Sequence, residues 1–77
     1  MRLLINYQGL TKIIPDFQSF ADVQKFVNEN FTELPASWVL EYVDVDGDVI
    51  TVGTELDVKN MIDTTTSKYL KVTIVAG

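Results

Sequence analysis

The stretch Tyr42-Val43-Asp44-Val45-Asp46-Gly47-Asp48-Val49-Ile50-Thr51-Val52-Gly53-Thr54-Glu55-Leu56-Asp57-Val58 decides how this chain is read. It begins inside the alternating run Trp38 to Val43, which predicts a strand. Asp44 to Asp48 predict a tight turn, because Asp-Gly accepts the positive φ that a hairpin needs. Val49 to Val52 predict a short returning strand. Thr54, with Asp57 three residues on, is an N-cap pair. It opens a short helix whose apolar residues are Leu56, Val58, Met61 and Ile62.

Five acids fall within the fourteen positions from Asp44 to Asp57: Asp44, Asp46, Asp48, Glu55 and Asp57. Three lie on the turn and two in the first turn of the helix. If the hairpin folds beside the helix, all five meet on one exposed patch. Crowded carboxylates repel one another, and a cationic partner relieves that repulsion. A plainer account is that Asp and Gly are ordinary turn residues, and that acids in a first helical turn complement the helix dipole.

A calcium loop would need oxygen ligands at positions 1, 3 and 5, glycine at 6 and glutamate at 12. Counted from Asp44, the acids fit and Glu55 falls at 12, but position 6 is Val49 and Gly47 falls at 4. No metal site is expected. A glycosidase needs two carboxylates across a cleft, and an exposed turn offers none.

Working outward, Met1 to Tyr7 alternate with Leu3 and Ile5 on one side and Arg2, Leu4 and Asn6 on the other, which predicts a strand. Gln8-Gly9 supplies a turn, and Lys12 to Ile14 form a second strand ended by Pro15. Ser19 with Asp22 predicts another helix N-cap. Phe20, Val23, Phe26, Val27 and Phe31 then mark one face of a helix. Asp63 to Ser67 read as a polar loop, so the Thr64-Thr65-Thr66 run is a solvated segment. Tyr69 to Val75 close as a strand. Trp38 is expected to be partly exposed core. The order ββαββαβ is an α+β layout, that of a ubiquitin-like β-grasp roll: a mixed sheet packed on one main helix.

Seventy-seven residues, 47% of them hydrophobic and 22% charged, suit one small folded domain spanning residues 1–77. Such a core supports a net stability of ~3–5 kcal/mol. A net charge of −5 argues against nucleic acid as a partner. No cysteine and no histidine are present, which removes thiolate chemistry, disulfides and the usual general base, so no enzyme is expected. No apolar run has the roughly 18 residues of a membrane span, and the N-terminus lacks a secretory layout. A cytoplasmic domain without cofactors is the expectation.

Tyr42 to Val58 closely resembles the acidic OPCA signature of PB1 domains. That pattern runs aromatic, any, Asp, any, acid, Gly, Asp, any, aliphatic, any, aliphatic, any, Ser/Thr, two further residues, acid, aliphatic. Every one of these positions is filled here, and Ile62 fits as a core residue of the helix that follows. The first strand, the Ser19 helix and the Leu70 to Ile74 strand also fall where the family has them.

The resemblance implies an interaction module that pairs front to back, its acidic patch meeting the basic, lysine-bearing face of another PB1 domain. By it, Asp44, Asp46 and Asp48 take the partner's lysine, and Glu55 and Asp57 take a second basic cluster. The family's first-strand lysine falls at Leu4, so the chain resembles the acid-only type. Arg2 and Lys12 are left as a weak basic face. Such a domain would cap a chain or form a one-to-one heterodimer, as in scaffolding and signalling complexes. Two other readings stay open. One is a ubiquitin-like modifier, suited by fold, length and Gly77, although Ala76-Gly77 leaves almost no tail. The other is weak self-association through Leu4 and Lys12.

Overall fold

The computed structural model describes all 77 residues. The elements in order are β1 (Arg2–Tyr7), β2 (Leu10–Ile14), α1 (Phe20–Asn30), β3 (Trp38–Val43), β4 (Val49–Val52), α2 (Glu55–Thr64) and β5 (Tyr69–Ala76). The strands form one mixed sheet in the order β2-β1-β5-β3-β4. β1 and β5 run parallel at its centre, and the other neighbours are antiparallel. This is the expected ββαββαβ β-grasp.

The first hairpin closes through Gln8 and Gly9, both at positive φ (52° and 81°), the conformation that matches strand twist in a two-residue loop. A loop of that length fixes the register, pairing Tyr7 with Leu10 and Ile5 with Lys12. β2 therefore starts at Leu10, two residues before the expected Lys12. Paired residues share a face of the sheet. Leu3 and Ile5 are fully buried on the helix side, so Arg2, Leu4 and Asn6 face outward.

The core is wholly apolar. Leu3, Ile5, Leu40, Val52, Val72 and Ile74 rise from the sheet to meet Phe20, Val23 and Val27 of α1 and Val58 and Met61 of α2. Trp38 is half-buried and leans on Phe20, with ring centroids 6.2 Å apart. Two expectations for α2 need correction. The helix continues through Asp63 to Thr64, because Thr64 Oγ1 donates to the Asn60 carbonyl and Thr65 N–H to Met61. Ile62, expected as core, is exposed at 36%, as is the apolar Leu56 at 65%. A short helix that meets the sheet only along β4 buries a stripe as narrow as Val58 and Met61.

Candidate functional site

Both helices begin with the same device. In α1, Ser19 Oγ accepts from Asp22 N–H, and Asp22 reaches back to accept from Gln18 N–H. In α2, Thr54 Oγ1 accepts from Asp57 N–H, and Asp57 accepts from Gly53 N–H at 3.0 Å. These reciprocal bonds satisfy backbone donors that a helix N-terminus leaves open. The Gly53 N–H bond is the largest cause holding the Asp57 carboxyl below its ordinary value. The Thr54 hydroxyl and backbone add to it, and partial burial opposes it.

The hairpin turn is built around Asp44. One of its carboxylate oxygens accepts from both Asp46 N–H and Asp48 N–H, each at 2.9 Å. Asp44 N–H donates to the Asp48 carbonyl, and Gly47 N–H donates back to Asp44. Gly47 sits at φ 84°, where any L residue would be strained. The half-buried Asp44 thus shapes the turn. Asp46 and Asp48 are exposed, and their side chains take part in no hydrogen bond or ion pair within the chain. Ligand oxygens of the three carboxylates lie within 4.8 Å of one another. Two unit charges ~4 Å apart in water repel by about 1 kcal/mol, so the turn holds like charge together against a real cost.

Glu55 lies elsewhere. Its two carboxylate oxygens accept from Phe20 N–H and Ala21 N–H, both at 3.0 Å, tying the first turn of α2 to the first turn of α1. Residues two apart on a helix project about 200° apart, so Glu55 and Asp57 diverge. Asp57 instead faces the hairpin. With Asp44 and Asp46 it lines a groove of about 500 Å³ between the turn and α2. The five acids therefore do not form one patch. Asp44, Asp46 and Asp48 cluster on the turn, Asp57 flanks that cluster across the groove, and Glu55 joins the two helices. The same placement removes Glu55 from any calcium loop begun at Asp44.

Arg2 and Lys12 do not share a face. Lys12 stands opposite the buried Ile5, on the helix side of the edge strand β2, whereas Arg2 faces outward. An inward-pointing charge on an edge strand guards it against pairing with another chain. Gly77 stays bonded to the Ser37 carbonyl beside Val39.

Sequence reasoning missed the polar wall of the groove. Asn60, Thr64, Thr65 and Thr66 line it beside Asp57 and across from Asp44 and Asp46, with Tyr42 on the hairpin side. The signal was the helical spacing of Asp57, Asn60 and Thr64, which puts them on one face. No helix is long and apolar enough to cross a membrane.

Comparison with known proteins agrees with this fold. No curated protein matches the chain. A solved chain titled "AtNBR1-PB1 domain" superposes with a TM-score of 0.82 at 17% identity, covering 100% of this chain and 97% of that one. At that identity the likeness is one of fold. The family model described as "PB1 domain" matches residues 4–76. The chain belongs to the PB1 domain family, whose members are protein–protein interaction modules that engage other PB1 domains.

Proposed function

We propose that the chain uses its acidic turn to bind the basic, lysine-bearing face of another PB1 domain front to back, as an assembly element in a scaffold or signalling complex. One observation carries this reading. Asp46 and Asp48 are exposed, have no partner in the chain, and are held beside Asp44 with their carboxylate oxygens within 4.8 Å of one another. Asp44 by itself accepts the turn's side-chain hydrogen bonds, so the carboxylates of Asp46 and Asp48 are not needed for its shape. Asp57 extends the negative field across the groove. Glu55 contributes charge, but its oxygens are already committed to α1.

Met1–Gly77 would act as one interaction unit, since one sheet and one core account for every element. A chain without cysteine suits the reducing cytoplasm. Charged contacts of this kind raise association rates and set partner choice.

The test is calorimetric titration against a PB1 domain that carries a basic face and has lost its own acidic patch, at low and high salt. One-to-one binding that weakens with salt is expected. Asp46→Ala or Asp48→Ala should each cost about 1–3 kcal/mol of binding and leave unfolding unchanged. Normal binding by both variants would sink the reading.

A further inference from the structure

The sheet has two edges, and they are finished differently. On β2, Lys12 points to the helix side and Pro15 follows the strand, and both discourage pairing with another strand. β4 has neither device. Its sequence, Val49-Ile50-Thr51-Val52, holds no charge and no proline, and every residue is β-branched.

The hydrogen-bonding phase of β4 follows from the turn. Asp44 N–H donates to the Asp48 carbonyl, so that pair closes the ladder. Bonded and non-bonded pairs alternate along antiparallel strands. Tyr42–Ile50 and Leu40–Val52 are therefore bonded, and Val43–Val49 and Glu41–Thr51 are not. The backbone N–H and C=O groups of Val49 and Thr51 thus point away from β3, off the edge of the sheet. Gly53 is next in that row, and its N–H does find a partner in the Asp57 carboxylate. No side chain does the same for Val49 or Thr51, both of which are exposed.

The surroundings define what fits this edge. A strand added beside β4 places alternate side chains next to Val49 and Thr51, and those between them next to Ile50. Apolar surface awaits the first set, since Val49 and its cross-strand neighbour Val43 are each 62% exposed. The second set turns toward the groove that Ile50 shares with Asp46 and Asp57. The β4 strand of a second copy does not fit. Antiparallel pairing would set Asp48 of each copy toward Glu55 and Asp57 of the other, like charge against like.

We infer that the β4 edge accepts an extended segment of a partner as an added antiparallel strand, apolar at alternate positions with lysine or arginine between them. Backbone bonds to Val49 and Thr51 hold the segment, and its cations face Asp46 and Asp57. This goes beyond the proposed pairing of folded domains, because the ligand is a peptide read through its main chain.

The test is amide hydrogen exchange by NMR on the folded chain, with and without a short synthetic peptide of alternating valine and lysine. In the free protein the Val49 and Thr51 amides should exchange fast and those of Ile50 and Val52 slowly. The peptide should slow Val49 and Thr51 by at least about tenfold. Methylating the backbone nitrogens of the peptide's valines, which face β4, should abolish binding. Methylating those of its lysines should leave affinity within about twofold. Thr51→Pro removes an edge donor that β3 does not use. It should weaken peptide binding by at least about tenfold and leave the circular dichroism and the titration with a basic PB1 domain unchanged. Should that variant unfold, the methylated peptides decide alone. Binding that ignores the methylation pattern is charge attraction only and overturns the inference, as does unchanged exchange at Val49 and Thr51. A basic PB1 domain that fails to bind the wild type removes the proposed function, and the exchange result then stands on its own.

Discussion

Asp46 and Glu55 belong to one acidic stretch, yet they end in opposite circumstances. The Asp46 carboxylate projects from a turn that only the residue's backbone N–H helps to hold. Glu55 places both oxygens on the backbone of another helix and acts as a clamp. Asp48 shares the first condition, Asp57 shares much of the second, and Asp44 belongs to both. The difference shows that the negative charge has two uses. Where backbone donors are open, a carboxylate satisfies them and stabilises the fold. Where none are available, crowded carboxylates raise the energy of the free protein, and only a cation from outside relieves it. Substitutions should therefore separate into those that weaken binding and those that weaken the fold.

The largest effect should come from reversing the free pair. Asp46→Lys/Asp48→Lys should lower affinity for a basic PB1 domain by at least about a hundredfold, near 3 kcal/mol, without lowering the unfolding midpoint. Calorimetry and thermal melts on the same samples check both halves. A variant that melts early would erase the contrast, because it would make Asp46 or Asp48 a structural residue.

Asp44 should be intermediate. Asp44→Ala removes an acceptor for two backbone N–H groups and should cost about 1–2 kcal/mol of stability as well as weakening binding. Asp44→Asn keeps a side-chain acceptor and loses only charge. It should recover most of the stability and little of the binding, which urea melts and titration measure independently.

Glu55→Ala sharpens the comparison from the other side. It should lower stability by about 1 kcal/mol, as loss of a helix cap does, and leave partner affinity within about twofold. Loss of affinity as large as that from Asp46→Ala would return Glu55 to the binding surface.

These contrasts track what the sequence made legible. Strand, turn and helix starts depend on neighbours in the chain, and the pairs Ser19–Asp22 and Thr54–Asp57 could be read from spacing alone. The partners of Glu55 lie in the first turn of α1, set by tertiary folding, and no local pattern points to them. The side taken by Lys12 was available in principle. A two-residue loop at Gln8-Gly9 dictates the pairing of Lys12 with Ile5, and so its burial side, once the loop length is known. Ile62 failed for another reason. Helical periodicity places it near Val58, but how wide a stripe α2 buries depends on how closely it approaches the sheet.

The smallest effect should be the pH response of Asp57. Its carboxyl is held below the ordinary value of 3.8, chiefly by the Gly53 N–H bond, so the folded state favours the charged form. The stabilisation is therefore fully present above the unfolded value and is lost as pH falls through the lower folded value. Asp57→Asn replaces the titrating group with a neutral acceptor. Its unfolding midpoint should change less than that of the wild type as pH drops below about 4, with the two proteins converging under acid. Exposure to solvent keeps this difference small. Urea melts across that acid range would detect it. Parallel wild-type and variant curves would mean that the Gly53 bond does not distinguish the charged carboxyl from the neutral one. Asp57 would then belong with Asp46 and Asp48, as charge presented to a partner rather than charge spent on the fold.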